Sequence, residues 1–228
     1  MTNHSLATIQ SLITAYEIKY HRKPNSVKLL AASKSQSSET ILQTYTAGQR
    51  IFGENYLQEA LVKIHALPND IEWHFIGPIQ RNKTRKIAEH FSWVESVESI
   101  DIAKRLSDQR PKHLPALNIC IEINVSNEAT KAGVSIQEAP ALVNACLQLP
   151  RITLRGLMTI PAPSETFAAQ RIPCRALYQL FQSLRDQGIP LDTLSMGMSD
   201  DMEAAIAEGA TMVRVGRGLF GERGSSRS

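Results

Sequence analysis

Short apolar runs alternate with longer stretches of helical periodicity along most of this chain. Between residues 5 and 20, Leu6, Ile9, Leu12, Ile13 and Tyr16 fall at helical spacing and predict an opening amphipathic helix. Residues 27–33 read as a first strand, and a helix follows over about 38–47. Residues 50–53 form a short second strand, with a helix over about 56–65. A third strand covers 71–76, and Gly77-Pro78 stops it before another helix. Residues 93–97 are a fourth strand, followed by a helix to about 108. The clearest strand is 117–125, with a helix over 136–147 behind it. A sixth strand spans 154–160, and the helix over 168–187 ends at Gly188-Ile189-Pro190. Strands seven and eight are 194–196 and 211–215, with 202–208 helical between them.

Strands that alternate with helices pair in parallel, because each crossover needs a dozen or more residues. Eight such strands are the number that closes a (β/α)8 TIM barrel. An open doubly wound sheet shares the local pattern, so closure rests on the strand count. The expectation is one α/β barrel domain over residues 1–228 with an additional N-terminal helix and a flexible tail at 222–228. A chain of 228 residues suits a single barrel. Hydrophobic residues make up 43% and charged residues 21%, as in ordinary soluble domains.

Lys plus Arg number 25 against 22 Asp plus Glu, and this near balance gives no general reason to expect a nucleic-acid or membrane partner. The cluster Arg81-Asn82-Lys83-Thr84-Arg85-Lys86 lacks interleaved aromatics and reads as a solvated face. No apolar run reaches the roughly 18 residues of a membrane span, and the first residues do not resemble a signal peptide. Cys120, Cys146 and Cys174 lack metal or redox spacing, which suits a reducing cytoplasm.

Charged residues inside apolar strands carry the chemical information. Lys34 stands at the C-terminal end of the first strand, where barrel active sites lie. It is either a surface lysine opening a loop or an amine for Schiff-base chemistry. Arg214, between Val213 and Val215, needs a partner or a ligand, because an unpaired buried cation is costly. Glu122, between Ile121 and Ile123, is the same anomaly with opposite sign, and the two could simply pair. Glu72 and His74 alternate with Trp73 and Phe75, and residues so placed satisfy one another across a barrel interior. Lys131 follows the fifth strand on the same rim as Lys34 and is a surface lysine or a second amine.

The last two strand ends carry the strongest pattern. Gly197-Met198-Ser199-Asp200-Asp201 follows strand seven, and Gly216-Arg217-Gly218-Leu219-Phe220-Gly221 follows strand eight. Barrels commonly bind phosphate in these two loops, where glycine admits the anion to the backbone amides. Ser199 adds a hydroxyl donor or caps the next helix, and Asp200 and Asp201 suit that helix's first turn better than a metal. The second segment matches the dinucleotide spacing G-x-G-x-x-G. Too little chain follows it for the helix, strand and acid that this motif requires.

Several segments together resemble the pyridoxal-phosphate homeostasis proteins. They are Leu30-Ala31-Ala32-Ser33-Lys34, Phe52-Gly53-Glu54-Asn55-Tyr56-Leu57-Gln58-Glu59 and Trp73-His74-Phe75-Ile76-Gly77-Pro78-Ile79-Gln80-Arg81-Asn82-Lys83. Further along stand Arg155-Gly156-Leu157-Met158, Leu194-Ser195-Met196-Gly197-Met198-Ser199-Asp200-Asp201-Met202-Glu203-Ala204-Ala205-Ile206 and Val213-Arg214-Val215-Gly216. They keep the family's order over nearly the whole chain. The resemblance implies a barrel similar to the N-terminal domain of alanine racemase, with pyridoxal 5'-phosphate held as an internal aldimine on Lys34. It implies phosphate contacts around Ser199 and Gly216 and an arginine, Arg214, facing the ring nitrogen. Asn55 and Met158, in their matched stretches, are expected to line the same pocket. Several relatives carry a small hydroxyl residue where this chain has Arg217, so the guanidinium either replaces that donor or points to solvent.

Three functions fit these residues. The first is a cytoplasmic, monomeric carrier that takes part in pyridoxal-phosphate homeostasis, with apo pyridoxal-phosphate enzymes as recipients and no fast turnover. The second is a pyridoxal-phosphate-dependent, racemase-like enzyme. The third is a Schiff-base aldolase that uses Lys34 without a cofactor. Racemase-like relatives complete their site with a second β domain, and too few residues follow Val215 to build one. The carrier is therefore the expected reading.

Overall fold

Hydroxyl side chains set the starts of several helices in the computed structural model, which describes residues 5–126 and 131–221. Ser5, Ser37, Ser99 and Thr166 each accept an amide hydrogen bond from three residues ahead, which satisfies a donor the helix itself leaves orphaned. They begin α1 (Leu6–Lys19), α2 (Ser38–Thr46), α5 (Ile100–Gln109) and α7 (Phe167–Asp186). The others are α3 (Leu57–Ala66), α4 (Thr84–His90), α6 (Ala139–Leu147), α8 (Met202–Ala207) and α9 (Arg217–Phe220). A 3-10 turn over Arg81–Lys83 leads into α4.

The strands between them are β1 (Lys28–Ala32), β2 (Ile51–Glu54), β3 (Glu72–Phe75) and β4 (Trp93–Val97), then β5 (Leu117–Glu122), β6 (Ile152–Met158), β7 (Thr193–Ser195) and β8 (Met212–Val215). Each pairs in parallel with its sequence neighbour, and β1 pairs with β8 through Leu30↔Arg214, which closes the barrel. The expected (β/α)8 architecture with an N-terminal helix is the observed one.

Alternation along the strands divides the buried residues into two populations. Leu29, Ala31, Phe52, Phe75, Val94, Ile121, Leu157 and Val213 belong to the large cluster between sheet and helices. The opposite faces fill the barrel with two small apolar groups, Leu30–Ile76–Met212 and Trp93–Cys120–Met158. Between them lies a polar network of His74, Glu95, Ser195 and Arg214, all buried.

Irregularities at the strand ends shape the functional rim. Strand β5 stops at Glu122 rather than 125, because Ile123 pairs only in an isolated bridge to Val134. Strand β6 lies two residues earlier than the apolar pattern suggests, and helix α6 starts at Ala139 rather than 136. Register shifts interrupt the β4–β5 and β5–β6 ladders. The segment after β8, read from sequence as a glycine turn, also contains the single helical turn α9. The tail at 222–228 lies outside the described residues.

Candidate functional site

Lys34 is half-buried in the turn that leaves β1, at the C-terminal mouth of the barrel. The turn is tightly defined, because Ser35 next to it adopts φ +63. Ser33 is fully buried and donates its hydroxyl to Glu54 at 2.5 Å. Across the β1–β2 pair, Asn55 follows Glu54. Its Oδ1 is buried and has no hydrogen-bond partner among the described residues. Gly77 is required here, since a Cβ would stand 2.3 Å from the Asn55 carbonyl oxygen. The Ser96 hydroxyl secures that contact by donating to the Gly77 carbonyl at 2.6 Å.

Arg214 is 4% exposed and projects into the barrel. Its Nη1 donates to Ser195 Oγ and its Nη2 to the Thr159 carbonyl, both at 2.7 Å. Ser195 donates to Glu95 Oε2 at 2.6 Å, and Glu95 Oε1 meets His74 Nδ1 at 2.6 Å. His74 Nε2 reaches Glu72 at 3.0 Å, and the Trp93 ring stacks on the imidazole at 5.0 Å. Burial alone would lower the His74 pKa, but hydrogen bonds and charge from Glu72 and Glu95 outweigh it and hold it raised. Burial pushes Glu95 the other way, and His74, Arg214 and Ser195 together hold its carboxyl below the usual range. The chain thus alternates in sign from the barrel floor to Arg214. The sequence-level pairing of His74 with Glu72 is present. Arg214 makes no salt bridge to Glu122, which instead sits at the end of β5, nearly buried, near the charges of Glu98 and Arg214.

Glycine and serine shape the far side of the mouth. A Cβ at Gly216 would approach the Ala32 carbonyl to 3.2 Å, and one at Gly218 would approach Ser199 Oγ to 3.2 Å. Gly218 N–H donates to Ser199 Oγ at 3.1 Å, so the loops after β7 and β8 are directly joined. Ser199 does not cap α8, whose N-cap position is Asp201. Asp201 instead accepts the Met198 amide at 2.6 Å. Arg217 is solvent-facing and paired with Asp200. Met158 is buried under the mouth against Trp93 and Cys120.

The fold therefore gathers Lys34, Asn55, Arg214, Ser199 and Gly216 around one end of the barrel, with Met158 below. A cavity of about 450 Å3 lined by Pro161, Met198, Asp200 and Arg217 adjoins this end. A second cavity of about 550 Å3 lies against α1 and the beginnings of β1 and β2, at the opposite end of the barrel, where this chemistry is absent. Among the described residues no group of His, Cys, Asp and Glu is arranged to hold a metal, and no helix is long and apolar enough to cross a membrane. Burial pushes the Cys146 and Cys174 thiols up to about 12, which suits packing rather than reactivity.

Sequence reading missed Glu54, Lys63, Glu95, Ser195 and Thr159. Glu95 was visible by the criterion that singled out Glu122, a charge inside an apolar strand. The backbone acceptor Thr159 and the helix-borne Lys63 had no such signal.

A family model for the N-terminal domain of alanine racemase matches residues 16–224. A pyridoxal phosphate homeostasis protein of Pseudomonas aeruginosa is 55% identical over 203 residues, spanning 89% of this chain and 87% of that one. The chain belongs to the pyridoxal phosphate homeostasis family. Its relative in Escherichia coli is 46% identical, spanning 98% of this chain and 97% of that protein. The solved structure of PipY from Synechococcus elongatus with pyridoxal phosphate bound superposes with a TM-score of 0.76 at 36% identity, covering 91% of this chain and 99% of PipY.

Proposed function

We propose that this protein binds pyridoxal 5'-phosphate at the C-terminal mouth of the barrel through the Lys34 amine and acts in cofactor homeostasis rather than fast catalysis. The observation that carries this reading is the convergence on one rim of a lysine, a fixed guanidinium and a buried unpartnered amide oxygen. The donor set suits the cofactor's chemistry. Asn55 offers buried amide hydrogen-bonding capacity toward the ring. Ser199 and the Gly216–Gly218 turn offer a hydroxyl, amides and room for a phosphate that side chains would otherwise fill. Arg214 commits one N–H of each terminal nitrogen to protein acceptors, which fixes the guanidinium and leaves three N–H donors to serve the ring nitrogen. Met158 supplies an apolar floor. Arg217 contacts phosphate only by releasing Asp200 and otherwise remains a rim ion pair.

When bound, pyridoxal phosphate supplies an electrophilic aldehyde and an electron-withdrawing ring. The chain's own residues hold and orient it, and delivery to apo pyridoxal-phosphate enzymes in the cytoplasm follows as its role. The names of the relatives and the pyridoxal-phosphate-bound structure of PipY support this reading. The test is borohydride reduction of the loaded protein followed by peptide mapping. The label is expected on Lys34 and is expected to vanish in Lys34→Ala without loss of fold. Label mapping mainly to another lysine, Lys131 above all, would overturn the assignment.

A further inference from the structure

One buried ion pair beneath the rim ties together Ser33 and Glu54, the residues that immediately precede Lys34 and Asn55. Glu54, the last residue of β2, is fully buried, and both carboxylate oxygens meet the Lys63 ammonium, at 2.8 and 2.9 Å. Lys63 reaches inward from α3 with its side chain only 7% exposed. The same ammonium donates to the Ser33 carbonyl at 3.0 Å, which occupies its three donors with three acceptors. Ser33 answers through its hydroxyl to Glu54 and through its amide to the Gly53 carbonyl at 2.9 Å. Glu59 is the other carboxylate near Lys63, at a looser 3.9 Å.

Stability alone does not account for such a pair. Removing two charges from water is expensive, and apolar residues of similar volume commonly replace a buried ion pair without loss. Two apolar side chains could not, however, grip a main-chain carbonyl and a hydroxyl at residue 33. That grip acts one residue before Lys34, where the chain turns into the left-handed Ser35. Glu54 stands one residue before Asn55. We propose that Glu54 and Lys63 are positioning residues, which lock the exits of β1 and β2 so that the Lys34 amine and the Asn55 amide face one pocket. This inference rests on Lys34 being the cofactor-bearing lysine.

The experiment uses the full chain as wild type, Lys63→Met, the double variant Glu54→Leu/Lys63→Met, and Ser33→Ala. Each is mixed with pyridoxal 5'-phosphate, trapped with borohydride over a time course and mapped, well below its own separately measured unfolding midpoint. Lys63→Met is expected to lose stability, because it strands a buried carboxylate. The double variant is expected to recover the midpoint while Lys34 is still labelled at least about tenfold more slowly than in wild type. Ser33→Ala is expected to lose less stability than Lys63→Met and also to slow labelling at Lys34. Wild-type labelling rates in a stable double variant would overturn the proposal and leave the pair a structural one. If the double variant does not fold, wild-type labelling in both Lys63→Met and Ser33→Ala overturns it equally. Wild-type label on a lysine other than Lys34 would sink the site assignment and this proposal with it. Wild-type label on Lys34 with unchanged variants sinks the positioning alone.

Discussion

Burial pushes the Glu122 carboxyl up to about 7, with the Glu98 charge adding to the effect and Arg214 opposing it. An acid whose folded pKa exceeds its ordinary 4.5 weakens the fold once the pH is high enough for the unfolded chain to ionise it. Below about pH 4.5 folded and unfolded chains both carry the proton, and the group has no effect. As pH rises toward 7 the unfolded chain gives up its proton first, and stability falls by up to about 3 kcal/mol before levelling. Glu122→Gln removes this slope. The cofactor-free variant should match wild type near pH 4.5 and melt several degrees higher at pH 8. If thermal midpoints of the two proteins track each other from pH 5 to 8, Glu122 is not held in its neutral form. His74 adds a loss of the same sign at higher pH, as its raised pKa is passed, and the wild-type-minus-variant difference cancels it. At this scale a charge interrupting an apolar strand was the readable signal, followed at Arg214 and Glu122 and passed over at Glu95. It was silent at Lys63 and Ser33, whose importance comes from contacts across elements rather than from their neighbours in the chain.

Strand identities were legible because apolar runs bounded by turn residues survive in a barrel almost unchanged. Strand ends were not, because bulges and bridges that periodicity does not encode decide them. Strand β6 shows this most clearly. The apolar run suggested 154–160, yet Ile152 already pairs with Leu117, and the ladder shifts register as it passes Arg155. Gly156 permits the close approach of β6 to β7 at that place. A Cβ there would stand 1.6 Å from the Thr193 carbonyl oxygen, which is main chain and cannot swing away. Gly156→Ala should therefore force β6 and β7 apart and cost several kcal/mol, enough to leave much of the protein unfolded or aggregated on expression. Gly188→Ala is the control, since only its positive φ of +86 opposes the substitution and no atom lies within 4 Å of the added carbon. Its penalty should stay near about 1 kcal/mol. Equal urea midpoints for the two variants would show that the β6–β7 contact can relax.

Across the whole molecule, the barrel interior is wired from floor to mouth by Glu72, His74, Glu95, Ser195 and Arg214, contributed by four different strands. The wiring leaves Arg214 a fixed cation, held on the Ser195 hydroxyl and the Thr159 carbonyl, with Glu95 behind it as counter-charge. Pyridoxal phosphate promotes carbanion chemistry best when its ring nitrogen is protonated, and an acidic neighbour favours that state. In the placement proposed for Arg214, the guanidinium can only donate a hydrogen bond to the ring nitrogen and keeps its own proton, so it favours the unprotonated, weakly electron-withdrawing ring. Ser195 lies between Glu95 and Arg214, so the only carboxylate in the wiring near this end cannot take the place of that neighbour. On the proposed reading, a site so built holds the cofactor without pressing it into catalysis. Loaded protein incubated with alanine, serine and other amino acids should show racemisation, deamination and transamination slower than about one turnover per second, the low end of ordinary enzymes. Release of pyridoxal phosphate to an apo acceptor enzyme, followed through the acceptor's regained activity, should proceed in the same preparation. A turnover at or above that rate on any of these amino acids would overturn the carrier reading and make the barrel a catalyst in its own right.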